Sequence, residues 1–249
     1  MRASVSSLIL VVVLSACGGR SSNSTTGPSP TGNTTFQGTL AGTGGQNGTL
    51  RITIQAAVAR SLFSLVRVLH AQAVTATGTL TLSGEGGSVT LTGTYDSSTK
   101  SVNLSGGGFA FTGTIGEGAV SGTYTGPNSS SGAFSGLDST TSSVTQYCAP
   151  PSDAQIFNLL ISASGAVSGV GVPKVCRSPD PSPRYCNVSM SGRANGTSVT
   201  FTITGFDYFR GVPTLSTCTG TIQGTSLNVT CRGSATDNPV DSGTLTVCR

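Results

Sequence analysis

The residues of this chain best equipped for chemistry are seven cysteines, one histidine and nine carboxylates. Zinc sites need thiolates and imidazoles at short, repeated spacings. No C-x-x-C occurs, and the single histidine, His70, lies far from the cysteine-rich half. A Ser–His–Asp triad would have to be built around His70, and there is no G-x-S-x-G elbow to hold its serine. The carboxylates Glu85, Asp96, Glu117, Asp138, Asp153, Asp180, Asp207, Asp237 and Asp241 are scattered. Several sit at turns, where an aspartate caps local backbone. No phosphate loop, calcium loop or dinucleotide fingerprint is present. The expectation is a non-enzymatic protein with no cofactor and no metal.

The cysteines point elsewhere. Six of the seven fall between residues 143 and 249. An even number in an exported chain argues for disulfides. One pair follows from hairpin geometry. With Gly224-Thr225 as a two-residue loop, Ile222 faces Leu227, Gly220 faces Val229 and Cys218 faces Cys231. That last pair falls at a non-hydrogen-bonded site, where Cα atoms approach to about 4.5 Å, within disulfide range. Cys176 and Cys186 bracket the proline-rich loop "RSPDPSPRY" and are expected to pin its ends. Cys148 and Cys248 remain, near the first and last strands of this half, where a bond would close a seam.

The elements that must position these residues are strands. Glycine supplies 35 of 249 residues, and only 9% are charged, against a norm of about 25%. Polarity is carried by Ser, Thr and Asn. Runs of five to nine residues alternate apolar and polar, with turn signals between them, the pattern of an all-β sandwich or barrel.

The chain also repeats. "FTGTIGEGAVSGTYTG" (Phe111 to Gly126) aligns without a gap on "CTGTIQGTSLNVTCRG" (Cys218 to Gly233), at an offset of 107. The same offset pairs "LRITIQA" from Leu50 with "FNLLISA" from Phe157. Offsets of 108 and 110 pair Leu80 and Leu82 with Val188 and Met190, and "SVTLTG" from Ser88 with "SVTFTI" from Ser198. Two tandem antiparallel meander units follow, residues 36–142 and 143–249, as small barrels or sandwiches; one large barrel from both copies is the alternative. In the first copy, the partners matching Cys218 and Cys231 are Phe111 and Tyr124. Two further hairpins are expected. Asn195-Gly196 as the loop sets Met190 opposite Phe201 and Val188 opposite Ile203; Ser164-Gly165 sets Leu159 opposite Val170 and Phe157 opposite Val172.

The remaining cysteine, Cys17, ends the run "LILVVVLSAC". Arg2 and the seven apolar residues from Leu8 to Leu14 read as a signal peptide, too short to cross a bilayer. Leu14-Ser15-Ala16-Cys17 resembles the lipobox of bacterial lipoproteins. The resemblance covers about the first 17 residues. It implies cleavage after residue 16, a diacylglycerol on the Cys17 thiol, and fatty acylation, such as palmitate, of the new amino group. Gly18 in place of aspartate implies sorting to the outer membrane in a diderm bacterium, or the outer leaflet of the plasma membrane in a monoderm. Residues 17–35, rich in Gly, Ser, Thr and Pro, form a tether.

One segment breaks the β pattern. "AVARSLFSLVRVLHAQA", Ala57 to Ala73, places Leu62, Leu65, Val66 and Leu69 on one helical face. It reads as a helical insertion that packs over a barrel end, serves as a lid or plug on the barrel mouth, or lies on a membrane surface. A formal net charge of +4 without a basic run argues against nucleic acid. The functional expectation is a lipid-anchored envelope protein that binds a protein or glycan partner or acts structurally. The alternative is a lipocalin-like carrier of a small apolar ligand.

Overall fold

The computed structural model describes residues 32–42, 46–56, 73–84, 87–149, 156–172, 187–207, 212–233 and 241–248. The signal peptide, Cys17, the tether, the segment 57–72, and the loop carrying Cys176 and Cys186 lie outside the described residues.

Eight strands build a first closed barrel: β1 (Thr34–Gly42), β2 (Asn47–Ile54), β3 (Ala73–Leu82), β4 (Ser88–Asp96), β5 (Ser101–Gly106), β6 (Phe109–Gly116), β7 (Ala119–Thr125) and β8 (Ser131–Asp138). Eight more build a second: β9 (Val144–Cys148), β10 (Ile156–Ser162), β11 (Ala166–Val172), β12 (Val188–Asn195), β13 (Ser198–Asp207), β14 (Val212–Gln223), β15 (Ser226–Gly233) and β16 (Asp241–Val247). Every neighbouring pair is antiparallel, and each barrel closes by pairing its last strand with its first. The chain thus forms two barrels of one up-and-down topology, not a single large one.

Alternation explains each wall. In the first barrel, Phe36, Leu50, Ile52, Leu80, Leu91, Leu104, Phe111 and Tyr124 point inward and are buried. Each such side chain contributes about 1.5–3 kcal/mol when taken from water. An eight-stranded barrel encloses just enough space for side chains, so bulky residues need room from their neighbours. Glycines provide it. Gly113 and Gly122 oppose each other on β6 and β7, and a Cβ on them would lie 2.7 Å and 2.8 Å from the Phe134 ring. Phe111 in turn stacks on Tyr124 at 5.4 Å and meets Phe134 edge-on at 5.4 Å. The expected Phe111–Tyr124 cross-strand pair is present.

The second barrel has its own interior of Tyr147, Leu159, Ile161, Met190, Val199, Phe201, Cys218, Leu227 and Leu245. The β14–β15 hairpin has the expected register, with Gln223 opposite Ser226 and Cys218 opposite Cys231. Two other hairpins differ. The β10–β11 loop has three residues, Ala163-Ser164-Gly165, with Gly165 at φ 86°, the bulged form that adds one residue. Leu159 therefore faces Gly169, Phe157 faces Gly171, and Val170 turns to the outer face. The β12–β13 loop is Gly196-Thr197, because Gly196 takes the left-handed position at φ 59°. Met190 then meets Ile203, and Phe201 meets Gly192, where a Cβ would fall 2.6 Å from that of Phe201.

Strand order also corrects part of the repeat alignment. The offset of 107 joins true equivalents: β2 with β10, β6 with β14, β7 with β15. The offsets of 108 and 110 join β3 to β12 and β4 to β13, which occupy different places in their barrels. The long connection follows the second strand in the first barrel and the third strand in the second. Sliding the sequences across those unequal connections produces the false match.

The barrels touch through β1 and β8 on one side and β10 and β11 on the other. These strands are buried on both faces. Thr39, Ala41, Leu137, Asn158, Leu160 and Val170 point away from their own interiors and are 0–2% exposed.

Two consequences can be measured. Gly113→Ala forces Phe134 and the Ser121 carbonyl aside and is expected to cost about 1–3 kcal/mol; Gly116→Ala, with open space around it, should cost far less in the same thermal melts. Burial also raises the Tyr124 phenol well above its ordinary value. The unfolded chain ionises near pH 10 while the folded barrel resists. The Tyr124 contribution is therefore complete below about pH 10 and declines above it, to be seen as an alkaline fall in stability that Tyr124→Phe reduces.

Candidate functional site

The outer walls carry hydroxyls. Thr75, Thr77, Thr79 and Thr81 line β3, Thr90, Thr92 and Thr94 line β4, and Thr77 faces Thr92 across the strands. On the second barrel, Thr200 and Thr202 of β13 face Thr219 and Thr217 of β14. Charges are few, and two of the carboxylates, Asp96 and Asp138, brace turns. Asp96 Oδ1 accepts from Ser98 N at 2.8 Å and from Ser98 Oγ at 2.6 Å, which lowers its pKa. Asp138 Oδ1 accepts from Thr140 N at 2.8 Å. Among the described residues, no three His, Cys, Asp or Glu side chains come together.

Two cysteine pairs lie at disulfide-bonding distance. Cys218 and Cys231 join β14 to β15 with Cα atoms 4.0 Å apart, at the position where the first barrel has Phe111 and Tyr124. Cys148 and Cys248 have Cα atoms 5.3 Å apart and bridge β9 to the end of β16. This seam is short. β9 and β16 share only the pairs Thr246↔Cys148 and Val247↔Tyr147, followed by Cys248 N donating to Gln146 O at 3.0 Å. In the first barrel the equivalent seam runs from Phe36↔Asp138 to Gly42↔Gly132. The covalent bond takes over where the ladder is brief.

A polar junction lies beside that seam. Asn158, 1% exposed, sits opposite Cys148. Its Nδ2 donates to Asn47 Oδ1 at 2.7 Å and to the Leu40 carbonyl at 3.4 Å. Gln146 Nε2 donates to Thr39 Oγ1 at 3.3 Å, and Thr39 Oγ1 donates to the Gly48 carbonyl at 3.0 Å. Four strands of two barrels are thereby held through one buried amide, Asn158, and two half-buried ones, Asn47 and Gln146. Sequence reasoning missed this junction. Its signal was the run Phe157-Asn158-Leu159-Leu160-Ile161, whose apolar residues do not alternate, as befits a strand covered on both faces.

Two recesses open nearby. One, of about 440 Å³, sits at an end of the second barrel, lined by Tyr147, Ile161, Ala194 and Ile222 and by its turns. The other, of about 880 Å³, lies on the outer wall of the first barrel, between Gln37, Thr49, Arg51, Thr79 and Thr81 on one side and the linker 139–143 with Val144 on the other. The linker is tied at both ends. Ser139 N donates to the Thr35 carbonyl at 2.7 Å, and Ala163 N donates to the Ser143 carbonyl at 2.8 Å.

No family model, curated protein or solved structure matches the chain.

The seam yields a ranking. Its bond spans 100 residues of chain and the hairpin bond spans 13, so loop entropy assigns about 4–5 and about 3 kcal/mol respectively. The paired variant Cys148→Ser/Cys248→Ser is expected to lose more stability in urea titrations than Cys218→Ser/Cys231→Ser. An equal or smaller loss would show that the short ladder closes the barrel unaided.

Proposed function

We propose that this chain is a lipid-anchored envelope protein that acts by binding or structural contact, without catalysis. The observation that carries the reading is the polarity of the two barrels. Apolar side chains and aromatic rings fill the interiors, and threonine, serine and asparagine coat the exteriors. A barrel that spans a membrane carries its apolar band outside; this is the opposite arrangement. Attachment then falls to Cys17, through the lipobox Leu14-Ser15-Ala16-Cys17. Two or three acyl chains hold a protein stably where one does not. The residues between Cys17 and β1 serve as tether, and the hydroxyl walls are presented to a protein or glycan partner, from the outer membrane.

The recess at the end of the second barrel favours a second reading, a carrier for a small apolar molecule, because inward-facing Tyr147, Ile161 and Ile222 line it. Native mass spectrometry that finds a small molecule leaving on denaturation would decide for the carrier.

The anchor is tested by Cys17→Ser. The parent chain is expected to incorporate labelled palmitate and to sediment with the outer membrane. The variant should lose both and keep its β-barrel circular dichroism. A variant that still sediments with membranes would refute the lipid anchor.

A further inference from the structure

The cleft on the first barrel has a chemistry of its own. Its floor is two rows of outward side chains that cross the strands. Gln37, Arg51 and Thr79 form one row, with Gln37 opposite Arg51 and Arg51 opposite Thr79. Thr49 and Thr81 form the next, directly paired. Adjacent strands lie about 4.8 Å apart, and alternate residues along a strand lie roughly 6.8 Å apart. The floor therefore offers hydroxyls and an amide at regular intervals around one guanidinium. The linker 139–143 forms the wall and adds further hydroxyls.

Arg51 is the distinctive group. It is exposed on this floor, and among the described residues no carboxylate pairs with it. Asp138, at the start of the linker, is instead engaged by the Thr140 N–H at 2.8 Å. A guanidinium in such surroundings matches a carboxylate through two parallel hydrogen bonds. The threonine hydroxyls and the Gln37 amide both donate and accept, which suits the hydroxyl groups of a sugar ring. No aromatic side chain lines the cleft, so a neutral sugar finds no stacking platform there.

We infer that this cleft binds an acidic saccharide, with Arg51 holding a uronic acid carboxylate and the two hydroxyl rows holding the sugar. The inference rests on the reading of the protein as a binding module and names the ligand class of that module.

The test is titration calorimetry of the full chain in detergent with trigalacturonate, alongside galactotriose and a triglutamate peptide. Trigalacturonate is expected to bind at least tenfold more tightly than either. Arg51→Gln should weaken it at least tenfold, with Arg51→Lys intermediate. Arg193→Gln removes another exposed arginine from a similar hydroxyl row on β12, outside either recess, and should change binding less than twofold. Equal binding of the neutral sugar or the peptide would overturn the assignment. So would an Arg51→Gln chain that binds like the parent, an equal loss in Arg193→Gln, or no binding of trigalacturonate at all. None of these outcomes touches the Cys17 experiment, so the address and the ligand fail separately.

Discussion

Closure of eight strands around a fixed volume is the constraint from which the rest of this protein follows. Such a barrel has little interior to spare. Phe134 and Tyr124 fit the first one because Gly113 and Gly122 leave space for the Phe134 ring and Gly132 leaves it for Tyr124. Glycine at these inward positions is thus a packing device. It lets large rings cross a narrow interior, and dense packing contributes stability that scarce ion pairs could not supply, since exposed pairs contribute about 0–1 kcal/mol each.

The two barrels meet the same demand by different means. The first zips its closing strands along a long ladder and sets an aromatic pair across β6 and β7. The second closes through a brief ladder and bridges both equivalent places with cysteines. One barrel relies on area and the other on covalent links. The junction through Asn158 and Gln146 lies next to the bridged seam. Seam and interface therefore share residues, and an opened seam would disturb both.

Much of the architecture was legible in the chain. Alternation placed the strands, and the β14–β15 hairpin with Cys218 and Cys231 followed from counting outward from Gly224-Thr225. Counting failed where a glycine sat at an unexpected point of its turn. Gly165 closes a loop of three residues and Gly196 opens one of two, and each choice moved a register. Local sequence does not fix that choice, because several loop lengths satisfy the same residues and the strand neighbours decide. The junction and the cleft were hidden for a different reason. Thr39, Asn158, Gln37 and Arg51 are ordinary polar residues on outward positions, and their surroundings come from strands and a linker distant in the chain.

The hydroxyl coat also governs how the molecule behaves among other molecules. A charged surface keeps its distance by electrostatic repulsion, which salt screens within about 8–10 Å at common ionic strengths. Here 9% of residues are charged, so hydration is left as the main source of spacing. Approach to these walls requires displacing water bonded to threonine, serine and asparagine, a barrier that changes little with salt or with pH near neutrality. Away from the Arg51 cleft, that makes solubility and non-specific contact depend little on ionic strength.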